Sequence, residues 1–231
     1  MTNNKCTALL FDLFHTLSSI RHTHGPGDDT ADILGIDKQK WREALFNRSE
    51  ARLRGEITDP VKIIRDVSDK IDPNIPEQII IKAAKSRYSR FEKSLVTPAQ
   101  HVVETLKSLR DKGYKTGLVS NADVMEVFAW EKSPLSKCFD FAVFSCHCGY
   151  VKPEPSIYNL CIKGLGKQAN DCVFIGDGGN NEHAGAKECG MRTVFTSEFV
   201  QDLWPEKIEE LKAKADYHIT DIRELLDANF L

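Results

Sequence analysis

Neither sign of charge dominates this sequence: 31 Lys and Arg face 34 Asp and Glu, for a formal net charge of −3. With no basic excess and no local basic patch, the chain has no field to attract nucleic acid or an anionic membrane, and neither is expected as a partner. Long apolar runs are also missing; none approaches the roughly 20 residues that span a bilayer. Met1-Thr2-Asn3-Asn4-Lys5 is not followed by the apolar core of a signal peptide, so a cytoplasmic location is expected. There is no internal repeat and no low-complexity tract. The seven cysteines, Cys6, Cys138, Cys146, Cys148, Cys161, Cys172 and Cys189, are odd in number. Several lie in apolar runs, where they read as reduced, small hydrophobes rather than a disulfide framework. Cys146-His147-Cys148 offers thiolate and imidazole, but no second Cys or His pair stands at zinc-binding spacing.

What is present is a globular composition, 41% hydrophobic over 231 residues, enough for one core and a smaller appended unit at roughly 150 residues per domain. Four short runs are apolar on both faces: Ala8-Leu9-Leu10-Phe11, Thr116-Gly117-Leu118-Val119, Phe141-Ala142-Val143-Phe144 and Cys172-Val173-Phe174-Ile175. Each stops at polar or glycine-rich residues, as buried parallel strands do. Amphipathic stretches of helical length fall over 98–112, 123–131, 156–163 and 182–189. Alternation of strand and helix predicts an α/β fold with an open parallel sheet, in which ligands bind outside the carboxyl ends of the strands.

The stretch 18–97 has no comparable strand run. Its patterning is helical, as in Trp41, Ala44, Leu45 and in Ile79, Ala83, Phe91, which predicts an all-α insertion. Gly25-Pro26-Gly27 and Thr97-Pro98 mark its boundaries.

The strand ends carry matched chemistry. Asp12 follows the first run; Ser120-Asn121 follows the second; Lys152 comes after Gly149-Tyr150-Val151; and Asp177 lies in Ile175-Gly176-Asp177-Gly178-Gly179-Asn180-Asn181-Glu182. A single Asp at a strand end is ordinarily a turn or cap residue. Two carboxylates, a hydroxyl with an amide, and a cation at four strand ends are the parts that phosphoryl transfer to a carboxylate needs. The glycines of Gly176-Asp177-Gly178-Gly179 do not form a dinucleotide fingerprint and read as a tight turn.

In their order, these segments resemble the four motifs of the haloacid dehalogenase-like hydrolases. Motif I is Phe11-Asp12-Leu13-Phe14-His15-Thr16-Leu17, motif II Ser120-Asn121, motif III Lys152-Pro153-Glu154-Pro155 and motif IV Gly176-Asp177 through Glu182. The resemblance implies a Rossmann-like core of 1–17 and 98–231 with an inserted α-helical cap of 18–97. It implies Asp12 as nucleophile, Thr16 supporting its loop, Ser120 and Asn121 binding the transferring group, and Lys152 neutralising charge. Asp12 and Asp177, with the backbone carbonyl of Phe14, would hold Mg²⁺, a hard cation that prefers oxygen. Glu182, in place of the more usual Asp, would act through water or by orienting Lys152.

Phe14 departs from the pattern. Phosphatases of this family carry a second Asp there as general acid and base, a contribution of about 10² to 10⁴ in rate. Dehalogenases carry an aromatic residue, but they have Ser where this chain has Asp177 and use an Arg from the cap. Arg42 stands near that place, although Arg42, Arg48, Arg52 and Arg54 read together as a solvated basic face. His15, beside the nucleophile, is a candidate proton carrier. His22 and His24 read as surface residues, and His183 as a helix-start residue. Arg21, Trp41, Arg42 and Tyr88 are the candidate substrate-facing residues of the cap, while Lys38 and Lys40 have no context that marks a Schiff-base lysine.

The expected function is a Mg²⁺-dependent phosphatase acting on a small phosphorylated metabolite through an aspartyl-phosphate at Asp12, in a monomer or homodimer. Two alternatives stay open: a metal-independent 2-haloacid dehalogenase, and a weakly active or inactive phosphate-binding module.

Overall fold

The computed structural model describes residues 6–19, 29–47 and 50–231. Arg21, His22, His24, Gly25, Pro26, Gly27 and Arg48 lie outside the described residues. Six parallel strands form one sheet in the order β3-β2-β1-β4-β5-β6. They are β1 (Ala8–Phe11), β2 (Lys115–Ser120), β3 (Phe141–Phe144), β4 (Cys172–Gly176), β5 (Arg192–Thr196) and β6 (Tyr217–Ile219). The four strands expected from the apolar runs are all present; β5 and β6 extend the sheet beyond them. The strand order reverses between β1 and β4, which is where an open α/β sheet leaves its ligand crevice.

Both faces of the central strands are buried, which explains their continuous apolar runs. Leu9 and Phe11 of β1, with Val173 and Ile175 of β4, face one layer, which includes Val102, Leu106 and Leu109 of α6 (Gln100–Asp111). Ala8, Leu10, Cys172 and Phe174 face the other, where α9 (Pro155–Gly164) contributes Ile157, Tyr158, Cys161 and Ile162, and α10 (Glu182–Glu188) contributes Ala186. All seven cysteines are free thiols, Cys146 and Cys148 on the one-turn helix α8 (Ser145–Cys148).

Between β1 and β2 lie α1 (Thr30–Leu34), α2 (Lys38–Asn47), α3 (Glu50–Leu53), α4 (Pro60–Ser68) and α5 (Glu77–Val96). Asp59 caps α4 by accepting from the Lys62 N–H at 2.8 Å, with Pro60 in the first turn. These helices bury a core of their own, including Leu34, Trp41, Ile63, Ile64, Ile80 and Ala83. Trp41 is in that core, so it is not the substrate-facing residue the sequence suggested: its indole supplies the apolar area that holds the short helices together. The core extends into Met125 of α7 (Val124–Val127), the helix that follows β2. Among the described residues, no helix is long and apolar enough to cross a membrane.

Close approach of α10 to the loop after β3 depends on Gly185. A Cβ there would fall 2.3 Å from the Pro153 carbonyl oxygen, against backbone that cannot swing away. Gly185→Ala is expected to destabilise the fold by about 1–3 kcal/mol, read as a lowered urea midpoint at unchanged slope; an unaltered midpoint would refute the close packing.

Candidate active site

Asp12 leaves the end of β1 with its N–H donating to the Ile175 carbonyl at 2.9 Å, which fixes it beside β4 at the switch point. The Thr16 hydroxyl donates to Asp12 Oδ2 at 3.1 Å. Lys152 Nζ donates to Asp12 Oδ1 and to Glu182 Oε2, the latter at 2.6 Å. The second Glu182 oxygen accepts the Gly178 N–H at 2.8 Å, and Asp177 Oδ1 accepts that of Gly179 at 2.9 Å. Asp12, Glu182 and Lys152 are buried, while Asp177 is half-buried. A Cβ at 176 would sit 2.1 Å from Glu182 Oε1, so glycine there leaves room for the carboxylate in this position.

One oxygen each from Asp12, Asp177 and Glu182 lie within 4.8 Å of one another, so three carboxylates share one place with a single ammonium. Burial pushes Asp12 up to about 6, with the Lys152 cation pulling down and the Glu182 charge pushing up. Burial likewise pushes Asp177 up to about 6, helped by the charge on Asp12. Glu182 rises to about 7, again through burial, with Lys152 opposing the rise. Burial works against the Lys152 ammonium, but Asp12 and Glu182 outweigh it and hold Lys152 above the ordinary lysine range. Hard oxygen donors with excess negative charge fit a divalent cation such as Mg²⁺.

Ser120 ends β2 at the same edge of the sheet, fully buried, with a hydroxyl that has no hydrogen-bond partner among the described residues. Asn121 grips the backbone of Lys152 from both sides: its Nδ2 donates to the Lys152 carbonyl at 3.0 Å and its Oδ1 accepts the Lys152 N–H at 2.7 Å. The side chain that the sequence suggested would bind a ligand is thus spent joining two loops. Glu182 accepts a bond from Lys152, the contact that one of the two roles read for it requires.

Phe14 points its ring at the helical insertion, edge-on to Phe91 of α5 at 5.2 Å. His15 takes a left-handed backbone, φ 65°, and its ring meets Trp204 edge-on at 5.1 Å. His183 is the second residue of α10 and is buried between Phe174 and Phe195, with neither ring nitrogen partnered among the described residues. Burial lowers it to about 3, so it packs as a neutral ring.

The solvated basic face is corrected. Arg42 is exposed, but Arg52 is buried and donates to Asp123 Oδ2 at 2.7 Å. Arg54 is half-buried, bonded to Glu50 and Glu154 and, at 2.8 Å, to the Gly149 carbonyl. Glu50 is a local i,i+4 partner, but Asp123 and Glu154 lie 71 and 100 positions away in the chain, which no pattern within the helix can reveal. Tyr88 stacks on Phe128, and Lys38 pairs with Asp32 at 2.9 Å. Sequence reasoning also missed Tyr158, whose hydroxyl donates to the Glu182 carbonyl at 2.8 Å, and Trp204. Asp123 and Glu126 did leave a signal, since Asp-x-x-Glu ahead of a helix is a capping box, and both of its bonds form here.

Comparison with known proteins agrees with this geometry. The profile of the haloacid dehalogenase-like hydrolases matches residues 9–190. The chain is 31% identical over 156 residues to glyceraldehyde 3-phosphate phosphatase of Methanopyrus kandleri, covering 66% of this chain and 65% of that one. It is 28% identical over 174 residues to rat bifunctional epoxide hydrolase 2, covering 71% of this chain but only 30% of that protein. Among solved structures, L-2-haloacid dehalogenase of Xanthobacter autotrophicus with chloropropionic acid covalently bound superposes with TM-score 0.66 at 17% identity, over 96% of this chain and 97% of that one. A family enzyme of Bacteroides thetaiotaomicron in complex with magnesium and inorganic phosphate gives TM-score 0.60 at 19% identity, over 83% and 94%. The structural likenesses speak for the fold.

The Asn121 clamp makes a direct prediction. Asn121→Ala removes both bonds to Lys152 and is expected to cost about 1–3 kcal/mol, because the Lys152 backbone groups lose their partners. Chemical denaturation measures it, and a loss below experimental error would show that the clamp carries no load.

Proposed function

Because the chain belongs to the haloacid dehalogenase-like hydrolases, we propose that it is a Mg²⁺-dependent phosphatase of a small phosphorylated metabolite, with Asp12 as nucleophile. The observation that carries this reading is Asp177, whose carboxylate joins those of Asp12 and Glu182 around one place beside Lys152. The phosphatase relative and the magnesium–phosphate complex of a structural neighbour support it. We assign 18–97 to a cap over the site and 1–17 with 98–231 to the core.

In this mechanism the Asp12 carboxylate attacks phosphorus. A P–O bond to Asp12 forms as the P–O bond to the leaving group breaks. Lys152 keeps Asp12 ionised and offsets charge on the phosphoryl oxygens, to one of which Ser120 donates its otherwise unpartnered hydroxyl. Thr16 holds Asp12 by its second oxygen. Phe14 carries no proton, so the leaving group takes one from solvent, and the water that later attacks phosphorus returns one. Phosphate departs and the Asp12 carboxylate is restored. A Mg²⁺ held by Asp12, Asp177 and the Phe14 carbonyl would neutralise the repulsion between the carboxylate and an incoming phosphate dianion.

Phe14 favours a second reading, hydrolysis of a carbon–halogen bond, since halide leaves without a proton. The readings separate in one assay on phosphorylated metabolites and 2-haloacids, each with Mg²⁺ and with EDTA. Phosphate release is expected only with Mg²⁺, and Asp12→Asn is expected to lower it by about a thousandfold or more. Halide release that survives EDTA would establish the second reading, and silence from the whole panel would favour a phosphate-binding module. Phe14→Asp is expected to raise turnover of alkyl phosphates by about 10²-fold, the lower end of general acid–base contributions; no gain in a variant whose folding midpoint is unchanged would mean the parent already has an efficient proton donor.

A further inference from the structure

Four charged side chains meet out of solvent where the helical insertion touches the turn after β2. Arg52 of α3 lies 2.7 Å from Asp123 Oδ2 and 3.4 Å from Glu126 Oε1. Arg87 of α5 pairs with the same Glu126 oxygen and lies 3.8 Å from Asp123. All four are buried. Two positive and two negative charges balance, which is the condition under which burial of ions is tolerable. The two carboxylates are doubly committed, because they also form the capping box that starts α7.

The contact is not ionic alone. Met125, between the two acids, is fully buried in the core of the insertion, and Phe128 stacks on Tyr88 of α5. The short helix α7 is therefore the post on which the insertion sits. Three residues before Asp123 lies Ser120. On the other side the Arg87 guanidinium lies 4.6 Å over the Phe91 ring, and Phe91 packs on Phe14, two residues from Asp12. The cluster thus includes the turn that follows Ser120 and reaches the loop of Asp12 through Phe91.

We propose that Arg52, Arg87, Asp123 and Glu126 are positioning residues, a buried charge cluster that anchors the insertion to α7 and so holds Ser120 and Phe14 in register with Asp12. Arg54, bonded to Glu154 and the Gly149 carbonyl, makes a second tie to the loop carrying Lys152. The anchor stands on geometry alone; its effect on turnover rests on Asp12 being the nucleophile. In consequence the insertion is held at the middle of α5, and loosening it there disturbs the chemical step rather than global folding.

The test uses a charge-balanced pair, Arg87→Met with Glu126→Gln, because removing one partner alone strands a buried charge. In the full chain, hydrogen exchange is read at the amides of α5 and α7, and p-nitrophenyl phosphate hydrolysis with Mg²⁺ is read alongside. Exchange at α5 and α7 is expected to quicken at least about tenfold, while β1 and β4 stay protected. The kcat is expected to fall at least about tenfold with KM changed less, and Arg87→Lys to recover part of it. Unchanged exchange overturns the anchor whatever happens to turnover. Quickened exchange with wild-type kcat overturns the positioning role. If the wild-type chain hydrolyses no p-nitrophenyl phosphate, the coupling to turnover falls with the phosphatase reading, while the exchange result still decides the anchor.

Discussion

The ammonium of Lys152, held between Asp12 and Glu182, is the interaction on which the rest of the site depends. Its partners lie 140 and 30 positions away in the chain, so only the completed sheet brings them together. Without that cation, buried carboxylates would face one another uncompensated, a situation worth several kcal/mol against the fold. Much local detail serves this one contact. Asn121 fixes the Lys152 backbone, Gly176 leaves space for the Glu182 carboxylate, and Tyr158 holds the Glu182 carbonyl from beneath. Even with Lys152 in place the site keeps more negative than positive charge, which is what makes it a fit for a hard divalent cation.

Hydrophobic packing fills the place where a proton donor is expected. Phe14 belongs to an edge-to-face pair with Phe91, and Phe91 lies beneath the Arg87 guanidinium. Replacing an acid by an aromatic ring thus ties the catalytic loop to the insertion as it removes general acid chemistry.

The parts of this architecture that are local were legible in the sequence. Buried parallel strands announce themselves as short apolar runs, and the four runs ending at Asp12, Ser120, Phe144 and Ile175 correspond to β1 to β4. β5 begins at Arg192 and has Thr193 and Thr196 on either side of Val194 and Phe195, and β6 is only three residues, Tyr217–Ile219, so neither shows a continuous apolar signal. Asp12, Ser120 and Asp177 were legible as types at strand ends, whereas Lys152 lies beyond the helical turn that follows β3; their roles were legible only through resemblance to a family. Arg52 was not legible at all. Its side chain looks like any surface arginine until the partner 71 positions on is folded against it.

Asp12 as the covalent nucleophile is the central claim, and trapping the intermediate tests it most directly. The enzyme is mixed with Mg²⁺ and ³²P-labelled acetyl phosphate, quenched in acid, digested and mapped. The account predicts label on the peptide containing Asp12, released by hydroxylamine as an acyl phosphate is. Label on any other residue, or turnover in a pulse–chase with none passing through that peptide, would contradict it.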